Sequence, residues 1–264
     1  MSKFSNKKIY GVVICYNSAP VIKELYERID KEIFDKIYFF DDNSKDSSYE
    51  IAKEFDWQVV KNPINLGHGG NLKKAIKTAF LDGADYVLEI HADNQYDPNL
   101  ITKAKDLIEQ DCALITGSRF VNKNPHKEEG MPFFRYFSNI VMSNFTRKIL
   151  SIKLTEFHTG FKIFGRNFYD KVPFENCSNN YLFSFQIILM TKFFNLKYGE
   201  ISISADYGKN TNSCNYYNGF IYLIFNFSDL GISKATFILI SIHFLLPRME
   251  SVLVLIKNKF ISSK

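Results

Sequence analysis

Four short segments carry residue types that could do chemistry, and each follows an apolar run. Asp41-Asp42-Asn43-Ser44-Lys45-Asp46 closes the second run. A carboxylate at a strand end can accept two hydrogen bonds from a ribose diol or a base edge, while Ser44 and Asp46 suit the capping of the next helix. Capping does not account for two successive acids closing a buried strand. Asn65-Leu66-Gly67-His68-Gly69-Gly70-Asn71 follows the third run and opens a helix. Its glycines let the backbone approach a ligand closely, and the helix amino end favours an anion such as a diphosphate. The spacing is neither a Walker loop nor the dinucleotide GxGxxG. After the fourth run stands Glu89-Ile90-His91-Ala92-Asp93-Asn94-Gln95-Tyr96-Asp97-Pro98. An Asp93 carboxylate beyond a parallel strand, with a neutral His91 two residues earlier and Gln95 two later, can hold Mg²⁺ or Mn²⁺ that also takes phosphate oxygens. Asp97 before Pro98 reads as a helix cap. Glu89 is expected to alternate away from the site. Gly117-Ser118-Arg119 follows the fifth run and offers a guanidinium for a bidentate grip on phosphate or carboxylate. Singly these are ordinary loops; all four in this order are far more specific.

The elements that must position them alternate. Apolar runs at 9–15, 36–40, 58–61, 86–90 and 113–116 read as strands, and helical periodicity occupies 21–29, 47–55, 71–81 and 99–109. Strands alternating with single helices imply right-handed crossovers and a doubly wound, mostly parallel sheet. In such a sheet ligands sit beyond the carboxyl ends of the strands, where the four segments fall. Residues 121–131, polar and broken by Pro and Gly, predict a mobile loop. An amphipathic helix at 133–150, a strand at 161–164, a helix at 182–194 and a strand at 198–204 follow.

The chain has 264 residues and a net charge of +5, enough to bury a full core as one large domain or one domain with an appendage. Its 26 Phe and 15 Tyr fit either AT-rich codon usage or an interfacial surface. The start lacks the apolar length and the cleavage site of a signal peptide, so the chain is expected in the cytosol. Cys15, Cys112, Cys177 and Cys214 lie far apart without a CxxC pair and read as reduced thiols. Residues 1–215 form one expected domain, and 216–264 an amphipathic helical extension. The apolar runs at 220–227 and 235–246 are too short to span a bilayer. With Arg248, Lys257, Lys259 and Lys264 they suit either an anionic membrane surface at its cytosolic face or packing on the domain. Dispersed positive charge and the lack of an aromatic-basic motif argue against nucleic acid.

Together these residues resemble the family 2 glycosyltransferases of GT-A fold, in the branch with dolichyl-phosphate mannosyltransferase-like and cell-surface polysaccharide enzymes. The resemblance rests on CYN at 15–17, DDNSKD at 41–46, NLGHGGN at 65–71, HADNQYDP at 91–98, GSRF at 117–120, EFHTGFKIF at 156–164 and GEIS at 199–202. It implies a nucleotide pocket lined by Asn17 and Asp42, with Asp42 at the base or ribose, and places Gly69 in the donor loop. It also implies that Asp93 ligates a metal bridging the donor diphosphate, with His91 where relatives more often carry Asp, that Gln95 supports this site, and that Arg119, together with Lys162, helps to fix the donor. Replacing an acid by His91 removes a negative charge and supplies a softer nitrogen ligand.

By the same resemblance Glu156, before Gly160-Phe161-Lys162, ranks first as the base that takes the acceptor proton during inversion. An acceptor phosphate, already ionised, would need no base, and Glu156 would then be a salt-bridge partner of Lys162. Ser184 stands where relatives commonly carry an acid, and Asp206 where they carry Arg; Lys209 could compensate, and Ser213 is retained.

The implied activity is metal-dependent, inverting transfer of a sugar from a UDP- or GDP-sugar to a lipid-linked or growing-glycan acceptor. A sugar nucleotidyltransferase would need a Gly-rich basic signature after the first strand, where Tyr16-Asn17-Ser18-Ala19-Pro20 stands instead. A degenerate protein that binds a nucleotide sugar without turnover is the non-enzymatic alternative, motivated by His91, Ser184 and Asp206.

Overall fold

The computed structural model describes residue 4 and residues 6–207. Its strands and helices run in the order β1 (Ile9–Cys15), α1 (Ala19–Arg28), β2 (Lys36–Asp41), α2 (Ser48–Ala52), β3 (Gln58–Lys61), α3 (His68–Leu81), β4 (Tyr86–His91), α4 (Lys105–Glu109), β5 (Leu114–Ser118), α5 (Pro125–Glu128), α6 (Phe133–Leu150), β6 (Lys162–Gly165), α7 (Arg166–Lys171), α8 (Phe183–Phe193) and β7 (Tyr198–Ser202). The 121–131 segment, expected as a loop, contains the one-turn α5, which Asn124 caps through its side chain. The stretch expected as a helix at 99–109 divides into a 3-10 segment, Pro98–Ala104, and α4. Asp97 caps that segment by accepting from the Asn99 N–H, as its place before Pro98 predicted.

The seven strands form one sheet in the order β3-β2-β1-β4-β6-β5-β7. All seven residues of β1 are buried, because both faces of this central strand are covered by helices. Alternation divides its side chains. Tyr10, Val12 and Ile14 join the core under α3, α7 and α8, whereas Ile9, Val13 and Cys15 join the core under α1, α2 and the 98–108 segment. Cys15, Cys112 and Cys177 are buried free thiols. Cys214 and the 216–264 extension lie outside the described residues.

The sheet is parallel except for β6, which pairs antiparallel with both β4 and β5. That reversal is functional geometry. The amino end of β6, and with it the Glu156 to Phe161 segment, arrives at the same edge as the carboxyl ends of β4 and β5. Register does the rest: Cys15 pairs with Asp41 and Ile14 with His91, so the ends of β1, β2 and β4 stand at one level.

Candidate functional site

The loops after β1 and β2 are tied to each other before any ligand is considered. Asn17, at φ 52°, donates its N–H to Ser44 Oγ at 2.9 Å and accepts from the Lys45 N–H at 2.8 Å, while its side chain remains exposed. Asp42, 3% exposed, is the brace of the glycine loop. Its Oδ1 accepts from the Leu66 N–H at 2.8 Å and from Asn62 Nδ2 at 2.9 Å, and its Oδ2 from the Gly67 N–H at 2.9 Å. The hydrogen bonds at Asp42 therefore run to protein, a role its expected place at the base or ribose did not include.

The glycines of this loop admit protein as well. Gly67 caps α3 at φ 79°, where L side chains are strained. A Cβ on Gly69 would stand 2.5 Å from the Ser178 carbonyl oxygen and 2.7 Å from Phe183 Cβ, and the Gly70 N–H donates to the Asn179 carbonyl. The expectation that Gly69 clears space for a ligand is corrected to that extent: its bare Cα clears space for the segment leading into α8.

The fourth segment departs from expectation in one useful way. Glu89 and His91 are two residues apart on β4 and so share a face, the one against α3. Glu89 is fully enclosed, and His91 Nε2 lies 2.8 Å from its Oε1. The first residue of α3, His68, places its Nε2 3.6 Å from the same oxygen. These three ligating atoms lie within 4.8 Å of one another. Gly160 makes this packing feasible, since a Cβ there would stand 2.5 Å from the His91 ring. Tyr181 stacks on His68 with ring centroids 4.7 Å apart. The expectation that Glu89 points away fails on strand parity, and His68 was legible only as part of a glycine loop.

Burial and charge set the two imidazoles apart. Burial drives the His68 pKa down to about 4, outweighing the attraction of Glu89. For His91 burial acts in the same direction, but the hydrogen bond and charge of Glu89, with the charge of Asp93, raise its pKa overall. Glu89 is held below the usual carboxylate range, because the bond and charge of His91 outweigh its burial. Asp93 itself is half-buried just past β4, its Oδ1 accepting from the Gln95 N–H at 3.1 Å. The Gln95 carbonyl accepts from the Asp206 N–H, and Ser184 is half-buried on α8.

Behind this edge lies a second charged group, and here the expected roles change. Arg119 is 1% exposed and Glu156 0%. The Arg119 N–H meets Glu156 Oε2 at 2.8 Å, Nε meets Oε1 at 2.9 Å, and Nη2 closes a tight contact to Oε1. Arg119 Nη1 also donates to the Tyr207 hydroxyl at 3.1 Å. Lys162 is fully buried, donates to the Thr159 carbonyl, and has its pKa lowered by burial against the pull of Glu89 and Glu156. The expected surface grip of Arg119 on a donor is thus an internal grip on Glu156. Glu156 has Arg119, not Lys162, as its salt-bridge partner. Lys162 stands beneath the site rather than on its face.

The residues at the end of β4 suit a divalent cation. They provide a half-buried carboxylate at Asp93 and imidazole nitrogens, together with a Glu89 Oε2 that is buried without a hydrogen-bond partner. Gln95 Nε2 is likewise buried and unpartnered. A buried polar atom without a partner costs free energy, so each is a place where a ligand would be accommodated.

Residues 11–173 match the family described as Glycosyl transferase family 2. The UDP-N-acetylglucosamine–dolichyl-phosphate N-acetylglucosaminyltransferase of Methanococcus voltae is 25% identical over 221 residues, 77% of this chain and 87% of that protein. The dolichol-phosphate mannosyltransferase of Pyrococcus furiosus is 28% identical over 132 residues, 48% of this chain and 37% of that protein. Among solved structures, glucosyl-3-phosphoglycerate synthase of Mycobacterium tuberculosis, in complex with Mn²⁺, uridine diphosphate and phosphoglyceric acid, matches with a TM-score of 0.58 at 14% identity, covering 75% of this chain and 69% of that one. With its mostly parallel sheet, its acidic strand ends and a family match over residues 11–173, more than half its length, this chain belongs to glycosyl transferase family 2 and is a glycosyltransferase of GT-A fold.

Proposed function

We propose that this enzyme transfers a sugar, with inversion, from a nucleotide-diphosphate donor to a lipid-linked phosphate. The carrying observation is the enclosure of Glu156 by Arg119. Inversion at a hydroxyl acceptor needs a base within reach of the acceptor proton. A carboxylate fully buried and held by a bidentate guanidinium is ill-suited to that task. A phosphate monoester arrives already ionised at neutral pH and needs none, which fits the lipid phosphate named for the Methanococcus relative.

The donor half is assigned to the strand ends. Asn17 and the loop braced by Asp42 would border the nucleoside, and Asp93 with His91 would hold a divalent cation against the diphosphate, with Gln95 supporting them. A bound divalent cation supplies Lewis-acid stabilisation of the departing nucleoside diphosphate. Arg119 acts from behind by keeping Glu156 in place, and Lys162 by balancing Glu89. On the acceptor side, α6 exposes Phe133, Phe134, Phe137 and Val141, an apolar stripe suited to a lipid surface. Among the described residues no helix is long and apolar enough to cross a membrane.

The test is transfer from a panel of UDP- and GDP-sugars, with Mn²⁺ or Mg²⁺, to a polyprenyl phosphate and to the corresponding polyprenol. We expect product on the phosphate alone, with inverted anomeric configuration by NMR. Transfer to the polyprenol or to a glycan hydroxyl at an equal rate would overturn the acceptor assignment and return Glu156, or another base, to the mechanism.

A further inference from the structure

We propose that His68, Glu89 and His91 are the ligands of a transition-metal site of the zinc class, filled by Zn²⁺ or, experimentally, Co²⁺ in preference to Mg²⁺. Two elements converge here independently. The glycine loop delivers His68 as the first residue of α3, and strand parity places Glu89 and His91 side by side on β4. Ligands at roughly 2.1 Å from a tetrahedral ion stand about 3.4 Å from one another. The distances to Glu89 Oε1, 2.8 Å from His91 Nε2 and 3.6 Å from His68 Nε2, bracket that spacing.

Other features at this place fit an ion. Glu89 is fully enclosed, yet its Oε2 has no hydrogen-bond partner. Gly160 leaves room for the His91 ring, and the Tyr181 ring backs His68. The two histidine side chains retain 11% and 19% of their exposure, so the site opens to solvent on the imidazole side.

Donor chemistry selects the metal. Two imidazoles and one carboxylate favour zinc-like ions, whereas Mg²⁺ demands an octahedron of oxygens. Three protein ligands with an accessible fourth position are the pattern of a catalytic rather than a structural site. The surrounding charges fit as well. Arg119 and Glu156 neutralise each other, and Lys162 offsets Glu89, so a dication requires anions from outside the trio. Asp93, whose charge already acts on His91, and a diphosphate would provide them. This deepens the proposed function and rests on it only for the diphosphate; the trio is tested without donor.

The experiment titrates Co²⁺ into the full-length, tag-free, chelator-treated protein and follows visible ligand-field absorption, with circular dichroism as a fold control. We expect one Co²⁺ per chain, displaced by Zn²⁺ but not by equimolar Mg²⁺, and a loss of affinity on the order of tenfold or more in His68→Gln and in Glu89→Gln. Because Glu89→Gln could impair folding, His68→Cys supplies a second measurement: retained Co²⁺ with new thiolate-to-cobalt charge-transfer absorption. Unchanged Co²⁺ affinity in His68→Gln, or a folded His68→Cys without that absorption, would overturn the site. Wild-type Co²⁺ binding through the trio in a protein that transfers no sugar would instead sink the proposed function and leave the site standing.

Discussion

The Glu156 carboxylate and the Arg119 guanidinium are joined through both the side chain and the backbone of Arg119, in a place where neither is more than 1% exposed. Arg119 follows β5 and Glu156 lies in the loop before the reversed strand β6, so the pair clips these two neighbouring strands together.

Breaking this pair leaves an uncompensated buried charge, which typically costs about 3–5 kcal/mol. Glu156→Ala should therefore lower the urea midpoint strongly, and the double variant Glu156→Ala/Arg119→Met should recover much of the loss. A Glu156→Ala protein as stable as wild type would contradict the bridging role.

Asp93 is half-buried and makes a short-range bond to the Gln95 N–H. Asp93→Ala should leave the melting temperature within a few degrees of wild type. It should lower turnover about a thousandfold or more, the kinetic equivalent of about 4 kcal/mol of lost transition-state stabilisation. Unchanged turnover would remove Asp93 from the donor site.

A Cβ at Gly69 would stand 2.5 Å from the Ser178 carbonyl oxygen, closer than real Cβ contacts come. Gly69→Ala should destabilise the protein by about 1–3 kcal/mol, as overpacking does. Thermal unfolding is the measurement, and a neutral result would show that the segment before α8 yields freely.

Burial raises the Cys15 thiol to about 11 and the Cys177 thiol to about 12, and that of Cys112 upwards as well. A raised thiol pKa means less thiolate at every pH below it. At pH 8 the thiolate of Cys15 is populated on the order of one part in a thousand. A Cys214→Ser variant should thus react slowly with a disulfide reagent at pH 8 and rapidly once unfolded. Fast release of even one equivalent from the native variant would refute the burial argument.

The apolar stripe of α6 should matter only when the acceptor sits in a lipid surface. Phe134→Ser with Phe137→Ser should reduce turnover several-fold on vesicle-borne polyprenyl phosphate and leave a short, water-soluble acceptor unaffected. Equal loss on both acceptors would assign the stripe to internal packing.

Much of the architecture was legible because alternation and periodicity are local properties. The run Ile9–Cys15 is wholly apolar, as a strand covered on both faces must be, and the helix expected at 133–150 matches α6. Asp97 before Pro98 announced its cap for the same reason: a cap involves only neighbours. Glu89 shows how a local rule can be misapplied, since parity alone places it beside His91.

Order and spacing along the chain determined the element sequence, the sheet edge to which the loops return and the acids, glycines and histidines those loops carry. Which atoms those groups touch was decided by the tertiary structure. The inserted antiparallel β6 turns Glu156 onto Arg119, buries Lys162, and lets Gly160 make room for His91; α3 brings His68 to Glu89 across 21 residues. The reason is physical. Secondary structure and caps depend on residues a few places apart, whereas a buried charge must find its partner wherever the folded chain delivers one.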